Sequence, residues 1–411
     1  MKTWGALLLA ALVSAAAPRP AVTTRATGSI AVAALAYLPG STIPIRVNGF
    51  DGPYGLFVNG SGAINGDRYR VGAGGDASTL IAASVHGLAV QTLEVAPTPD
   101  PSRPFIAVAS YDDGIILHDA TPPYRARSAL GIDGAPGDVA IDEHGRLGTA
   151  ATEGTSATIA DLDPWAVRRY DGVPFGDEVA FDARSGALFV TNRDVGGAGA
   201  LTRISADGIV SQRVLGLTAE GLAIDPARQR VYVANVNDGT ISIVDARTMV
   251  ELRRFHAVDR VFSLALSRDG SRLFAVSNES LSSPFAAAGS VVAYDVAGNA
   301  AREVAHSTRL GFPIGIAYDG AHDRLYVTDE GADSIYVLDA RTLRAVHAPL
   351  KTCETPWKPS LERGLLFVPC ARSDRVDVFN TATLRRTAGA PFATGGYPLA
   401  VAVWYGAAHN G

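Results

Sequence analysis

From about residue 29 onward, hydrophobic and polar positions alternate in short runs, and no stretch carries a helical period. Over residues 29–96 the runs SIAVAALAYL, IPIRVNGF, YGLFVNG, RYRV, STLIAASV and LAVQTLEVA are separated by Gly, Asn and Asp clusters. Six short strands with no helix predict a small β-sandwich of immunoglobulin-like character. The segment APTPDPSRP then places four prolines in nine residues, which reads as a stiff linker over 97–104 and a domain boundary.

From Phe105 the pattern repeats. Aligning the residue that ends the first strand of each unit gives Asp142, Asp182, Asp225, Ser267, Asp319 and Ser360, at spacings of 40 to 52 residues. Four strands in about 42 residues is the period of a propeller blade. The clearest unit, GLAIDPARQRVYVANVNDGTISIVDARTMVELRRF at 221–255, has a turn at Pro226 and a hairpin at Asn237-Asp238-Gly239. Complete units begin near 134, 174, 217, 258, 311 and 353. The chain end GGYPLAVAVW supplies only a first strand, whereas FIAVASYDDGIILHDATPPYRARSAL at 105–130 supplies the other three. The expectation is an all-β, seven-bladed β-propeller over 105–404, closed by pairing Leu399–Val403 with Phe105–Ser110, so that no sheet edge is left where the ends meet.

The phrases LYVTDEGADSIYVLDARTLRAV, RVYVANVNDGTISIVDARTMVEL and ALFVTN resemble the YVTN β-propeller repeat family over about 300 residues, Phe105 to Trp404. The resemblance implies the fold. It leaves activity open, because the repeat recurs in surface-layer proteins, periplasmic binding proteins, dehydrogenase subunits and lactonase-like enzymes. One unit departs from the pattern through an insert, NESLSSPFAAAG, around Asn278 to Gly289.

Residues recurring at one blade position are read as structural. Asp142, Asp182, Asp225 and Asp319 close first strands, and Asp119, Asp161, Asp245, Asp295 and Asp339 close third strands, where Asp accepts backbone N–H bonds in tight turns. On the opposite face, first strands begin and second strands end around the mouth of the central channel. That mouth collects Asp138, Asp177, Glu178, Glu220, Arg260 and Trp357 with Asn192, Asn235, Ser277 and Asp329. Carboxylates and amides in this number suit a polar ligand or a hard cation such as calcium, with Arg260 as the local counter-charge. A solvated rim is the alternative.

Composition narrows the classes. With 36 basic against 41 acidic side chains the net charge is −5, which leaves no surplus for nucleic-acid phosphates. Residues 1–17, MKTWGALLLAALVSAAA, have the charge, apolar core and small residues of a secretory signal peptide. They predict an exported protein, periplasmic, secreted or at the cell surface, without a stable transmembrane anchor after processing; a retained N-terminal anchor is the other reading. The two cysteines, Cys353 and Cys370, are expected to form one disulfide beside the mouth. Nothing supports a nucleophilic or haem template: the eight histidines form no HxH or HxxxH pair, and neither GxSxG nor CxxCH occurs.

Three functions remain. The first is a non-enzymatic scaffold binding a protein partner or small polar ligand at the mouth, with no cofactor. The second is a lactonase-like metal-dependent hydrolase, with Glu178, Asn192, Asn235 and Asp329 as ligands of a divalent cation and metal-bound water as nucleophile. The third is an electron-transfer subunit associated with a periplasmic dehydrogenase.

Overall fold

The computed structural model of the chain describes residues 29–31, 36–50, 53–73, 77–84, 87–278, 289–298 and 300–406. The leader at 1–17 and most of the insert, 279–288, lie outside them. The chain divides into two compact units, Met1–Pro97 and Thr98–Gly411.

In the first unit the described strands number eight rather than six. Ser29–Ala31 pairs with Arg46–Asn48, Arg68–Val71 lies between Thr42–Pro44 and Gly62–Asn65, and Ala77–Ser84 lies between Gly55–Asn59 and Gly87–Glu94. One extra strand comes from the run IPIRVNGF, which breaks at Ile45 into Thr42–Pro44 and Arg46–Asn48; the other, Gly62–Asn65, forms between two runs, just after Gly60 and at Gly62, both with positive φ. Tyr69, Leu38, Leu80 and Ala82 are fully buried and supply the core.

The described residues of the second unit form seven antiparallel sheets, six of four strands and one of five. In chain order, the second to seventh sheets have as inner strands Pro136–Ile141, Gly176–Phe181, Ala219–Asp225, Val261–Leu266, Pro313–Asp319 and Ser360–Glu362. The first sheet is assembled from both ends. Phe105–Ser110, Gly114–Asp119 and Ala126–Leu130 lie outside an inner strand, Pro398–Trp404, with Val401 opposite Val108 and Trp404 opposite Phe105. Each inner strand touches the inner strand of the next sheet, and Pro398–Trp404 touches both Ser360–Glu362 and Pro136–Ile141. The inner strands therefore form a ring.

The burial pattern follows from this stacking. Second and third strands, such as Arg230–Asn235 and Thr240–Asp245, are covered on both faces and read as near-continuous apolar runs. Outer strands such as Glu251–His256 and Arg302–His306 face solvent and are polar. Cores lie between neighbouring sheets: Phe189, Leu201, Val231 and Val233 join the third to the fourth, and Phe274, Val276, Leu325 and Val327 join the fifth to the sixth. The recurrent aspartates make the turns. Asp142 Oδ1 accepts the His144 and Arg146 N–H groups, Asp245 Oδ1 those of Arg247 and Thr248, and Asp339 Oδ1 those of Arg341 and Thr342.

Cys353 and Cys370 form a disulfide with a Cα separation of 5.7 Å, and both are buried. It spans 17 positions of the seventh sheet, for which loop-closure entropy gives a stabilisation of about 3 kcal/mol. Urea unfolding of Cys353→Ser/Cys370→Ser should show that loss relative to the oxidised protein. Free alkylation of both thiols without reductant would contradict the bond.

Candidate functional site

At their mouth-side ends the inner strands carry β-bulges. Pairing slips by one residue between Pro136 and Val139, between Gly176 and Val179, and between Ala219 and Leu222. A bulge leaves an N–H unpaired and re-aims its side chains. Here the orphan donor of one sheet is taken by the bulge carboxylate of the previous one. Asp138 Oδ2 accepts the Val179 N–H at 3.0 Å, and Glu178 Oε2 accepts the Leu222 N–H at 2.8 Å. Gly137 permits this approach, since a Cβ there would lie 2.7 Å from the Asp177 carbonyl oxygen.

Lys358 reaches into this chain from the seventh sheet. Its Nζ lies 2.6 Å from Asp138 Oδ2 and 3.3 Å from Glu178 Oε2. Gly315 makes room for it, as a Cβ would come within 2.9 Å of the Lys358 Cα. Thr328 Oγ1 also donates to the carbonyl of the preceding Trp357 at 2.7 Å. Arg193 stands 3.5 Å from Asp177. The counter-charge expected from Arg260 alone is thus corrected: Lys358 is the cation bonded to the carboxylates, and Arg260 only adds its field to that of Arg193 near Glu220. Lys358 escapes repeat alignment because the segment Glu354-Thr355-Pro356-Trp357-Lys358 has no counterpart in other blades. The available signal is its rarity, as one of three lysines in the chain.

Burial dominates the electrostatics. It pushes the Glu178 carboxyl up to about 7, helped by Asp138 and Asp177 and opposed by Lys358. It pushes Glu220 up to about 8, with Asp177 and Glu178 adding to the shift and Arg193 and Arg260 opposing it. Asp177 is raised for the same first reason, and Lys358 is held cationic by Asp138 and Glu178. An unfolded Glu ionises near 4.5, so Glu220 makes the fold less stable as pH rises from about 4.5 to 8. Glu220→Gln should match the wild type at pH 5 and exceed it at pH 8.5 by on the order of 1 kcal/mol in urea unfolding. Equal stability at both values would refute the shift.

The remaining mouth residues hold the frame. Asn192, fully buried, donates from Nδ2 to the Pro174 carbonyl and accepts from Thr202 Oγ1. Asn235, also fully buried, accepts the Gly216 N–H and donates to Thr240 and Ser242. Asp329 Oδ1 accepts the Phe312 and Ala332 N–H groups. Ser277 donates to the Asp259 carbonyl, and the Trp357 N–H donates to Pro369. As a joint ligand set for a cation, Glu178, Asn192, Asn235 and Asp329 do not fit, because both amides are spent on loop and hydroxyl partners and Glu178 is spent on Leu222 and Lys358. Among the described residues, no three His, Cys, Asp or Glu side chains are grouped to hold a metal ion. What the structure brings together is Asp138, Glu178 and Lys358, with Asp177, Glu220, Arg193 and Arg260 around them.

No known protein family matches the sequence, and no curated protein matches it. Solved structures do resemble it. A protein of unknown function from Desulfotomaculum acetoxidans DSM 771 is 15% identical with a TM-score of 0.61, over 74% of this chain and all of that one. A Bacteroides fragilis NCTC 9343 protein proposed to be a 6-phosphogluconolactonase is 14% identical with a TM-score of 0.57, over 75% and 99%. The Cps50 (Swd1) beta-propeller domain of Myceliophteria thermophila is 12% identical with a TM-score of 0.54, over 67% and 93%. At these identities the likeness is one of fold, and that fold is the β-propeller.

Proposed function

We propose that residues 105–404 form a seven-bladed propeller of YVTN type, closed by its C-terminal strand and preceded by a small β-sandwich over 29–96 and the linker 97–104. In this reading residues 1–17 direct export, and the mature protein is a binding scaffold that takes a small polar ligand or a protein partner at the mouth. The disulfide, and the lack among the described residues of a helix long and apolar enough to cross a membrane, are compatible with export.

The observation that carries the reading is the Asp138–Lys358–Glu178 pairing set among Asp177, Glu220 and Arg193. Fixed donors and acceptors of both signs at a concave end match a ligand rich in hydroxyl groups with a cationic group. Two carboxyls that protonate near neutrality can also exchange a proton for such a cation. The metal-dependent hydrolase has less support, since three of its four ligands, Glu178, Asn192 and Asn235, are already engaged. Fold likeness to a protein proposed as a lactonase keeps lactones in the test panel.

The test is a thermal-shift screen of polyols, amino sugars and lactones, with a pull-down from the exported proteome. A hit should raise the melting temperature of the wild type and not of Asp177→Asn/Glu220→Gln. If no compound shifts it and no partner is recovered, the scaffold reading fails. Lactone turnover abolished by EDTA would install the hydrolase instead.

A further inference from the structure

Beside Asp138 and Lys358 lies a cavity of about 350 Å³, within the size range of small-molecule sites. Aliphatic side chains, Val139, Ile141, Ala400 and Ala402, make up part of its wall. The inner strand Ser360–Glu362 and the segment before it add polar groups: Lys358, Ser360 and Glu362 also line the cavity. Ser360 and Glu362 alternate on one strand and share a face, and the chain from Lys358 to Glu362 reaches at most about 13 Å. The cavity thus has the Lys358–Asp138 pair at one end and Glu362 at the other.

The two ends differ in what they leave unsatisfied. Lys358 is engaged by Asp138 and Glu178. The Glu362 carboxyl makes no hydrogen bond or ion pair among the described residues. Its neighbour Arg363 places its guanidinium over the Tyr405 ring, 3.8 Å from the centroid, and Tyr318 on the cavity wall donates its hydroxyl to Asp323. A part-buried carboxylate without a bonded cation gains from a cation that enters the cavity beside it.

The geometry points to a second binding site in this cavity, for a small organic cation whose ammonium pairs with Glu362 and whose unbranched apolar chain lies along the aliphatic wall. An anionic ligand finds no unspent cation inside. A neutral apolar ligand would leave the carboxyl unpaired. Binding is coupled to protons, because burial pushes Glu362 up to about 7 against the weaker opposing field of Arg363. Tyr405 feels Glu362 from the same end, and Lys358 and Asp138 face it from the far end as a mutually neutralised pair. The ammonium keeps its proton throughout, so affinity rises with pH as Glu362 ionises, by about tenfold between pH 6 and pH 8.

Isothermal calorimetry with n-pentylammonium chloride and with 1-pentanol tests this on the full mature protein. The wild type should bind the ammonium, about tenfold more tightly at pH 8 than at pH 6, and prefer it to the alcohol by at least about tenfold. Glu362→Gln should lose both the preference and the pH dependence. Ala402→Leu, which fills the cavity and leaves Glu362 in place, should weaken binding by at least about tenfold, and the mouth variant Glu220→Gln should bind like the wild type. The inference is overturned if the wild type does not bind pentylammonium, if folded Glu362→Gln binds it unchanged, or if Glu220→Gln alone abolishes binding, which would place the cation at the mouth.

Discussion

Lys358→Met should destabilise the protein by about 3–5 kcal/mol at pH 8, the cost of stripping one partner from a buried ion pair. The Asp138 side chain is 5% exposed and that of Glu178 11%, so neither carboxylate can turn to water for a replacement. Asp138 would keep the Val179 N–H, and Glu178 that of Leu222, but the like charges of Asp138 and Glu178 would face each other and Asp177 with Arg193, beside Asp177, as the nearest cation left. The defect has a pH signature. Glu178 already protonates near 7 with Lys358 present, and without Lys358 its proton affinity must rise further. Folded protein therefore takes up a proton that the unfolded chain, ionising near 4.5, releases. The loss should be largest above pH 7 and shrink steadily as pH falls towards 5. Urea midpoints across that range read it directly. A pH-independent loss would mean that Lys358 contributes packing alone, and no loss would mean that the three groups do not form the bonded cluster.

A chain ending at Thr394 should fail to form a cooperatively melting monomer. The truncation removes Pro398–Trp404, the inner strand of the first sheet, and with it the buried side chains of Leu399, Val401 and Trp404. At about 1.5–3 kcal/mol for each large apolar side chain, the loss reaches about 5 kcal/mol or more, comparable to the whole stability of many domains. It also bares the Phe105–Ser110 edge, whose residues are buried throughout, and an apolar strand edge templates association. Trp404 Nε1 donates to the Pro101 carbonyl, so the segment before the first strand loses its anchor too. Size-exclusion chromatography and calorimetry should find aggregates and no sharp transition. A truncated monomer melting within a degree of the full chain would refute closure by this strand.

The mouth chemistry was legible only in part for a definite reason. Repeat alignment located Asp138, Glu178 and Glu220 because the bulges recur at one position of each inner strand, and a recurring position survives alignment. It placed Asn192, Asn235 and Asp329 at second-strand ends equally well, but whether an amide faces a ligand or a loop carbonyl depends on the turn above it, and the hydrogen bonds go to the loops. In the first unit, a break at Ile45 divides a run that hydrophobicity alone reads as continuous, and Gly62–Asn65 pairs as a strand although its sequence reads as a turn between runs.

By itself the sequence determined the all-β character, the period of the repeat, the turns built on recurrent aspartates and the chemical type of most mouth residues. These are properties of near neighbours, written in apolar runs and in Asp and Gly at fixed offsets. Only the tertiary structure decided that Lys358 meets Asp138 across 220 positions of chain, that Glu178 and Glu220 hold protons near neutrality, and that Glu362 lines the same cavity as Lys358. Those depend on ring closure, which brings strands from opposite ends of the sequence around one channel. Burial there sets the energy of each charge.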